Sequence, residues 1–276
     1  MTAETDGTDP ADPASSALAH FGHEARLERE ALGISRADFG TEATCGYSLV
    51  AKIENGQRVP PREFAEACDR VFPHANGRFM RLWPLALKYA YPVWFRRYVE
   101  LEGVAARIQL FNPLLVPGLV QTEEYARVIL RAGRPDSLED AVTARMERQR
   151  VLVTADHPQL WIVVTEYALR RTVGNADVTR DQLQRLKDLA EVPRNVVQVL
   201  PEAAGYVHGS NNPYGLLSFK EGADVVHVDG FPTGYTVADS TPVAEAQKAY
   251  DLLKATALPL DESVSVINLI MKDVHK

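Results

Sequence analysis

The segment 47–54 carries three polar side chains at a spacing that could read the edges of nucleic-acid bases. Tyr47 and Ser48 lie at its start, and Lys52 lies one helical turn later. Lys52 can donate to guanine O6 or N7, Ser48 can donate or accept, and Tyr47 can contact a thymine methyl or a phosphate oxygen. Because a major groove about 12 Å wide accepts an inserted helix, this spacing predicts direct base reading.

Three more polar side chains flank this segment. Arg36 precedes it, and Asn55 and Arg58 follow it. At the edges of a groove such side chains meet phosphates, which fix the docking register and carry no sequence information. We therefore expect Arg36, Asn55 and Arg58 to contact the phosphate backbone of double-stranded DNA.

The first of two short helices that must hold these side chains begins after Ser35. Ser35 is typical of an N-cap, and Asp38 occupies the capping-box position three residues later. The helix is predicted to carry Ala37 and Phe39 inward. The helix is predicted to end near Thr44.

The second helix, 47–54, follows Gly46, which supplies a turn or a modest N-cap, and it ends at Asn55-Gly56, a strong terminator. Gly40 on the first helix allows the second to approach closely. The buried side of the second helix is predicted to consist of Leu49, Val50 and Ile53. The base-reading candidates then face outward.

Helices on either side are predicted to complete a compact bundle. The earlier helix buries Leu18, Phe21, Ala25 and Leu32, and exposes Glu24, Arg26, Glu28 and Arg29. Gly33 stops it. A later helix, after Pro60-Pro61, buries Phe64, Ala67, Cys68, Val71 and Phe72.

Residues 21–72 resemble, without gaps, the Xre or lambda-repressor-like helix-turn-helix regulators. The run 50–60 is the most specific part of this resemblance. It implies a helical DNA-binding domain in which Tyr47, Ser48 and Lys52 occupy the base-reading face.

Four positions depart from the pattern of that family. Arg36 stands where relatives commonly have a Gln that bonds a phosphate. Ala43 replaces a usual Leu, Thr44 a usual turn Gly, and Gly46 a usual Ser or Thr cap. Arg36 is a plausible substitution, whereas the loss of the cap at Gly46 costs up to about 1 kcal/mol at the helix start. We expect the fold to survive the last three changes, with a less rigidly held recognition helix.

Charge limits the kind of nucleic-acid binding that is possible. The net charge of −7 argues against indiscriminate coating of nucleic acid, since that mode needs bulk positive charge. Residues 17–72 hold seven Lys or Arg against nine Asp or Glu, so binding needs a one-sided patch. The one basic zone, 78–107, has six Lys or Arg against two acids. It either lends charge to that patch or is a solvated connecting helix.

The second half of the chain mixes strand-like and helical segments. Strands are predicted at 106–111, 160–165, 195–200, 214–219 and 224–228, the last two as a hairpin around Glu221-Gly222. Helices are predicted at 122–132, 138–154, 179–190, 242–258 and 260–274.

Residues 91–274 resemble the C-terminal domain of unknown function that follows this helix-turn-helix in many actinobacterial, Streptomyces-type regulators. The pieces that carry the resemblance are 98–102, 117–125, 145–150, 163–166, 199–201 and 205–219. The resemblance implies a small partner protein, and for some members an antitoxin-like role.

Catalysis, cofactors and metals are not expected. Glu166, His208, His227 and Asp229 are the acid–base candidates, but no metal, nucleophile or phosphate-loop motif accompanies them. Glu166 is better explained as a brace for a helix at 167–171, and His227 and Asp229 as the solvent-exposed face of the hairpin. Four aromatic residues line either a ligand pocket or a core, and strand positions favour the core: Trp161, Tyr167, Tyr206 and Tyr214.

The predicted fold class is α+β, an N-terminal all-α helix-turn-helix bundle followed by a larger mixed α/β domain. A chain of 276 residues suits two unequal domains. The expected division is a disordered acidic tail at 1–16, the DNA-binding domain at 17–76, a basic connecting segment at 77–105, and a regulatory or partner-binding domain at 106–276.

A cytoplasmic location is expected for two reasons. Apolar runs are too short to span a bilayer, and the acidic N-terminus is unlike an export signal. Cys45 and Cys68 offer no disulfide framework or zinc spacing, so both are expected to be reduced packing residues.

The residues together predict a sequence-specific transcriptional regulator. A site read by one helix is short, so a homodimer on a two-fold operator is expected. Two alternatives stay open: an antitoxin-like interaction protein that holds a small partner through its C-terminal domain, and a small-molecule sensor.

Overall fold

The computed structural model describes residues 12–154 and 156–274. The expected tail at 1–16 therefore lies mostly outside the described residues. The chain divides into two compact units: Met1–Pro92 together with Asp136–Ala144, and Val93–Pro135 together with Arg145–Lys276. Within the described residues, no helix has both the length and the apolar character needed to span a membrane.

The first unit is helical throughout its described part. Its helices are α1 (Ala17–Ala31), α2 (Arg36–Glu42), α3 (Tyr47–Glu54), α4 (Arg62–Val71) and α5 (Arg78–Leu87), joined by the start of α8 (Leu138–Arg148). Their core is built on five buried phenylalanines whose ring centroids lie 5.1–6.3 Å apart: Phe21, Phe39, Phe64, Phe72 and Phe79. Each such pair contributes about 0.5–1.5 kcal/mol beyond its buried area.

Capping side chains set the starts of two of these helices. Ser16 caps α1, where its Oγ accepts from the Ala19 N–H at 3.0 Å. The predicted N-cap of α2 is confirmed, because Ser35 Oγ accepts from the Asp38 N–H at 3.1 Å. The Asp38 carboxylate accepts in turn from the Ser35 hydroxyl at 2.7 Å.

Three predictions about which side chains lie inside are wrong. Leu32 is exposed because it is the C-cap of α1, where the chain turns away before Gly33. Ala37 is exposed because the short helix α2 turns only Phe39 and Gly40 into the core. Arg29 is buried rather than exposed, because an ion pair holds it inside.

The segment 77–105 is not a single solvated connection. Its first helix, α5, packs into the core of the first unit through Phe79 and Trp83. Its second helix, α6 (Val93–Glu102), belongs to the second unit.

The second unit contains a mixed sheet with the strand order β3-β2-β1-β4-β5-β6 in the described chain. The strands are β1 (Arg107–Asn112), β2 (Gln159–Thr165), β3 (Asn195–Leu200), β4 (Tyr214–Ser218), β5 (Val225–Val228) and β6 (Tyr235–Val237). β1, β2 and β3 run parallel, whereas β4, β5 and β6 are joined by antiparallel pairing. The predicted α+β fold class and the predicted β4–β5 hairpin are confirmed. The short strand β6 was not predicted.

Helices make the crossovers between the parallel strands, as parallel pairing requires. α7 (Glu123–Ala132) and α8 connect β1 to β2, and α9 (Glu166–Arg170) and α10 (Ala176–Ala190) connect β2 to β3. α11 (Ser240–Thr256) and α12 (Leu260–Asp273) follow β6. The alternation of buried residues along the strands gives each face of the sheet its own apolar core. Ile108 and Ile162 belong to one core, while Phe111 and Val163 join Tyr250 of α11 in the other.

A close helix contact in the first unit yields a stability prediction. A methyl group added at Gly22 on α1 would lie 2.1 Å from the Ile53 carbonyl oxygen at the end of α3. Gly22→Ala should therefore lower the free energy of unfolding by about 1–3 kcal/mol, even though alanine is the better helix former. Denaturant titration and hydrogen exchange of α1 and α3 amides measure this change.

Gly103→Ala is the matched control. Its added methyl would meet no atom nearer than the Glu100 carbonyl oxygen at 3.5 Å, an ordinary contact distance. Equal stability of the two variants would contradict the close packing of α1 on α3.

Candidate nucleic-acid interface

Two glycines bring the second helix of the motif, α3, close to its neighbours. Besides Gly22, Gly40 at the end of α2 leaves room for the Cys45 carbonyl oxygen, which would lie 2.5 Å from an added methyl. The Cys45 N–H also donates to the Gly40 carbonyl at 2.7 Å. The predicted close approach at Gly40 is confirmed, and it sets the tight turn that leads into α3.

The inner side of α3 is locked into the core of the first unit. Val50 and Ile53 are fully buried, and Leu49 packs against the same cluster from a half-buried position. Asn55 is the C-cap of α3, and Gly56 beyond it adopts a left-handed backbone with φ of 66°. The predicted buried set and the predicted stop are therefore confirmed.

The outer side of α3 carries the predicted base-reading residues. Tyr47 is 58% exposed, and Ser48 and Lys52 are exposed as well. All three project from the helix surface opposite Val50 and Ile53, so no rearrangement is needed to present them. Their roles on DNA stay a prediction, but their placement meets its geometric requirement.

A buried carboxylate, Glu54, ties α1, α2 and α3 together. Its side chain is 1% exposed and lies between two guanidinium groups. Arg29 Nε donates to Glu54 Oε1 at 2.5 Å, and Arg29 Nη2 donates to Oε2 at 3.0 Å. Arg36 Nε donates to Glu54 Oε2 at 2.7 Å. These bonds fix the mutual orientation of the three helices.

Sequence reasoning missed Glu54 and Arg29, although the sequence contains a signal for Arg29. Phe21, Ala25 and Arg29 recur at i, i+4 and i+8, which places all three on one face of α1. Since that face is buried, Arg29 needs a partner, and a buried guanidinium is normally paired.

The predicted phosphate contact Arg36 lies beside this buried pair. The Glu54 carboxylate, and after it the Tyr47 hydroxyl, raises the pKa of Arg36 above its ordinary value. One ion pair uses only part of a guanidinium, which has five N–H donors. Arg36 therefore links the buried core to the exposed start of α3 and keeps donors for an anion.

The other two predicted phosphate contacts lie just beyond α3. Asn55 is half-buried at the helix end. Arg58 is engaged within the first unit, where its Nε lies 2.8 Å from Oδ1 of Asp140 on α8. The roles of Asn55 and Arg58 on DNA stay a prediction.

The departures from the family pattern have visible structural effects at the turn before α3. Thr44 adopts φ of 54°, a left-handed conformation that a β-branched residue rarely takes. Gly46 occupies the N-cap of α3 and forms no side-chain cap bond. Ala43 is buried in the core. The turn is formed, but with backbone strain at Thr44 and without a side-chain cap.

Within the basic zone 78–107, Arg78 forms ion pairs inside the first unit. Arg78 lies 3.1 Å from Glu24 Oε2 and 2.6 Å from Glu28 Oε1, both on α1. This pairing neutralises acids of the first unit.

Glu166, the first acid–base candidate of the second unit, is engaged in structural contacts. Glu166 Oε1 accepts from Arg170 on the same helix at 2.9 Å, and its Oε2 accepts from the Glu202 N–H at 3.2 Å. The predicted bracing role of Glu166 is confirmed. His208 is exposed in the loop before β4. Among the described residues, no group of three or more His, Cys, Asp or Glu could hold a metal ion.

The prediction that His227 lies on a solvent-exposed face is wrong. Its ring stacks on Tyr98 of α6 with centroids 4.3 Å apart. Its Nδ1 lies 2.8 Å from the Thr236 hydroxyl and its Nε2 lies 3.1 Å from Asp229 Oδ1. The cause is that α6 and the unpredicted strand β6 cover this part of β5. Asp229, just past the strand, is exposed as predicted.

The aromatic residues of the second unit fall into two classes. Tyr214 is buried in the core, and Trp161 is half-buried with its Nε1 donating to Gln198 Oε1 at 2.9 Å. Tyr167 and Tyr206 are exposed. Tyr167 also lines a cleft of about 180 Å³ at the carboxyl ends of β1, β2 and β3, together with Pro113, Thr165, Leu200, Pro201, Glu202, Gly205 and Ser210.

The buried position of Glu54 predicts a large stability effect. Glu54→Gln leaves two guanidinium groups without a neutralising charge, so it should lower the free energy of unfolding by about 3 kcal/mol. The control Glu66→Gln removes the exposed partner of Arg62 on α4 and should cost less than about 1 kcal/mol. Urea titration measures the free energy of unfolding of both variants. Similar decreases in the two would show that the buried Glu54 pair stabilises the fold no more than an exposed pair does.

The strained turn predicts a stabilising substitution. Thr44→Gly relieves the left-handed conformation and should raise the free energy of unfolding by about 1 kcal/mol. Thr41→Gly, three residues earlier inside α2, should lower it by about 1 kcal/mol. Thermal melting of the two variants should therefore shift in opposite directions, and a loss of stability in both would refute the strain at Thr44.

Comparison with known protein families matches each half of the chain separately. Residues 20–72 match the family described as a helix-turn-helix domain, and residues 95–268 match the family described as a domain of unknown function (DUF5753). No curated protein and no solved structure matches the chain. The chain therefore belongs to the DUF5753 family and carries a helix-turn-helix domain ahead of the family domain, which points to a DNA-binding regulator rather than to an enzyme.

Proposed function

We propose that the protein is a sequence-specific transcriptional regulator that inserts α3 into the major groove of double-stranded DNA. The observation that carries this proposal is the exposure of Tyr47, Ser48 and Lys52 on a helix whose opposite side is locked in the core. An α-helix so presented fits a groove about 12 Å wide. In this arrangement Lys52 and Ser48 bond base edges, and Tyr47 contacts a thymine methyl or a phosphate.

The local charge around α3 supports binding to a polyanion despite the negative net charge. Within residues 43–58, Glu54 is the only acidic residue, and it is buried against Arg29 and Arg36. The solvent-facing side chains of this stretch are therefore neutral or positive. A one-sided patch of this kind gives local attraction to phosphates without making the whole chain basic.

The phosphate contacts follow from the same geometry. Arg36, Asn55 and Arg58 flank the two ends of α3 and reach the walls of the groove when the helix lies in it. They fix orientation, whereas sequence preference comes from α3 itself.

A homodimer completes the proposal. One short helix reads only a few base pairs, and a two-fold pair of helices about one turn of DNA apart reads enough for useful specificity. The DUF5753 domain then supplies dimerisation, partner binding or ligand sensing. A protein with this role works in the cytoplasm, where the DNA is.

A small-molecule sensor is the second candidate function. The cleft lined by Tyr167 favours it, because ligands of sheets with parallel strands bind outside the carboxyl ends of those strands. The antitoxin-like alternative, in which the C-terminal domain holds a small partner protein, rests on the family resemblance alone.

Substitutions of Lys52 and Arg36 should have different effects on DNA binding. After an operator is selected from a random duplex library, Lys52→Ala should cost about 1–3 kcal/mol on that operator and relax the preference at one base position. Arg36→Ala should weaken binding evenly across sequences. Fluorescence anisotropy on the operator and on its single-base variants measures both effects.

Lys187→Ala on α10 is the control for charge, since it removes one positive charge from the second unit. It should leave affinity and base preference unchanged. If Lys52→Ala behaves like this control, α3 does not read bases.

A further inference from the structure

We propose that the Arg58 guanidinium and the Val59 N–H form a binding site for a DNA backbone phosphate, and that the Asp140 carboxylate occupies this site in the unbound protein. The inference rests on the proposed function and adds a regulatory step to it. DNA must displace Asp140 before Arg58 can contact a phosphate, so the protein restrains its own affinity.

The first support is the geometry of the contact. Arg58 Nε lies 2.8 Å from Asp140 Oδ1, and the Val59 N–H points to Asp140 Oδ2 at 3.4 Å. The two charged side chains are only 24% and 13% exposed. A guanidinium beside a backbone N–H offers donors to two oxygens of one anion, and a phosphate diester presents oxygens to them as a carboxylate does.

The second support is the position of this site beside the base-reading helix. Beyond α3 the chain folds back, and the Gln57 N–H donates to the Lys52 carbonyl at 2.8 Å. Pro60 is buried, and its carbonyl accepts from Trp83 Nε1 at 2.7 Å. The backbone of Arg58 and Val59 is therefore held on one side by the bond from Gln57 to α3 and on the other by the bond from Trp83 to Pro60. Only the turn that follows α3 separates it from Lys52.

The third support is that Asp140 is not needed to cap its own helix. It is the third residue of α8, a position where a carboxylate often bonds back to the N-cap. The Asp140 N–H donates to the Ser137 hydroxyl at 3.2 Å, which satisfies the helix start. The Asp140 carboxylate instead points to Arg58 and Val59.

The origin of the two partners makes the contact a candidate switch. Arg58 lies in the helix-turn-helix match, residues 20–72, whereas Asp140 lies in the DUF5753 match, residues 95–268. Yet the segment Asp136–Ala144 is compactly packed with the first unit, while α8 continues to Arg148 among residues of the second unit. Asp140 therefore belongs to the family domain by sequence and to the first unit by packing.

Asp140→Asn tests the proposal directly. It removes the charge but keeps the size of the side chain, so binding of the full chain to a mixed-sequence duplex of about 30 base pairs should tighten about tenfold. The salt dependence should steepen by about one unit in the slope of log K against log salt, since one more phosphate is neutralised. Fluorescence anisotropy at several salt concentrations gives both quantities.

Two further variants isolate the effect of the Asp140 carboxylate. Asp136→Asn removes the same charge four residues earlier, from an exposed position, and should change affinity less than about twofold with an unchanged slope. The double variant Arg58→Ala/Asp140→Asn should bind no more tightly than Arg58→Ala alone. Thermal melting checks that all variants are folded.

The outcomes separate this inference from the proposed function. If Asp140→Asn and Asp136→Asn bind DNA with the same affinity and slope as the unchanged protein, the Asp140 site is overturned while DNA binding stands. If no variant, Asp140→Asn included, binds the duplex at low salt, both the proposed function and this inference fall. A gain with Asp140→Asn that persists without Arg58 also overturns the site.

Discussion

The arrangement of the DNA-binding unit depends on one buried carboxylate. Glu54 ends α3 inside the molecule and bonds a guanidinium from α1 and another from α2. A charge at 1% exposure is costly to bury unless it is paired, so the three helices must come together in the single geometry that satisfies it. The apolar core supplies the driving force for folding, and this ion-pair network selects the orientation in which α3 is presented. Such a constraint offsets the weak N-cap at Gly46.

Ion pairs within the protein also explain how a chain with a negative net charge can bind a polyanion such as DNA. Glu24 and Glu28 are bound by Arg78, and Glu54 is bound by Arg29 and Arg36. Each pair neutralises an acidic charge of the first unit. Ion pairing also lowers the proposed affinity for DNA, because two of the three proposed phosphate contacts, Arg36 and Arg58, already have carboxylate partners within the protein. Small changes in those carboxylate partners would therefore change the affinity for DNA.

Local signals in the sequence were sufficient for the elements that present the candidate site. The cap at Ser35, the stop at Gly56 and the buried face of α3 depend on a few neighbouring residues, and all were predictable. The hydrophobic period also located most strands of the sheet.

Long-range contacts were not predictable, because the spacing of residues along the sequence does not encode them. Val59 and Asp140 are 81 residues apart in sequence, and His227 is buried only because α6 and β6 cover it. Arg29 is buried despite its charge because Glu54, 25 residues later, pairs with it.

The strand at one end of the sheet has a bearing on solubility. β6 spans only Tyr235–Val237, so this border of the sheet exposes few backbone groups to a neighbouring molecule. Long, flat borders invite uncontrolled growth of a sheet from chain to chain, and very short ones discourage it. Such a border suits the homodimer proposed above, because accidental stacking of strands would compete with the proposed two-fold pairing.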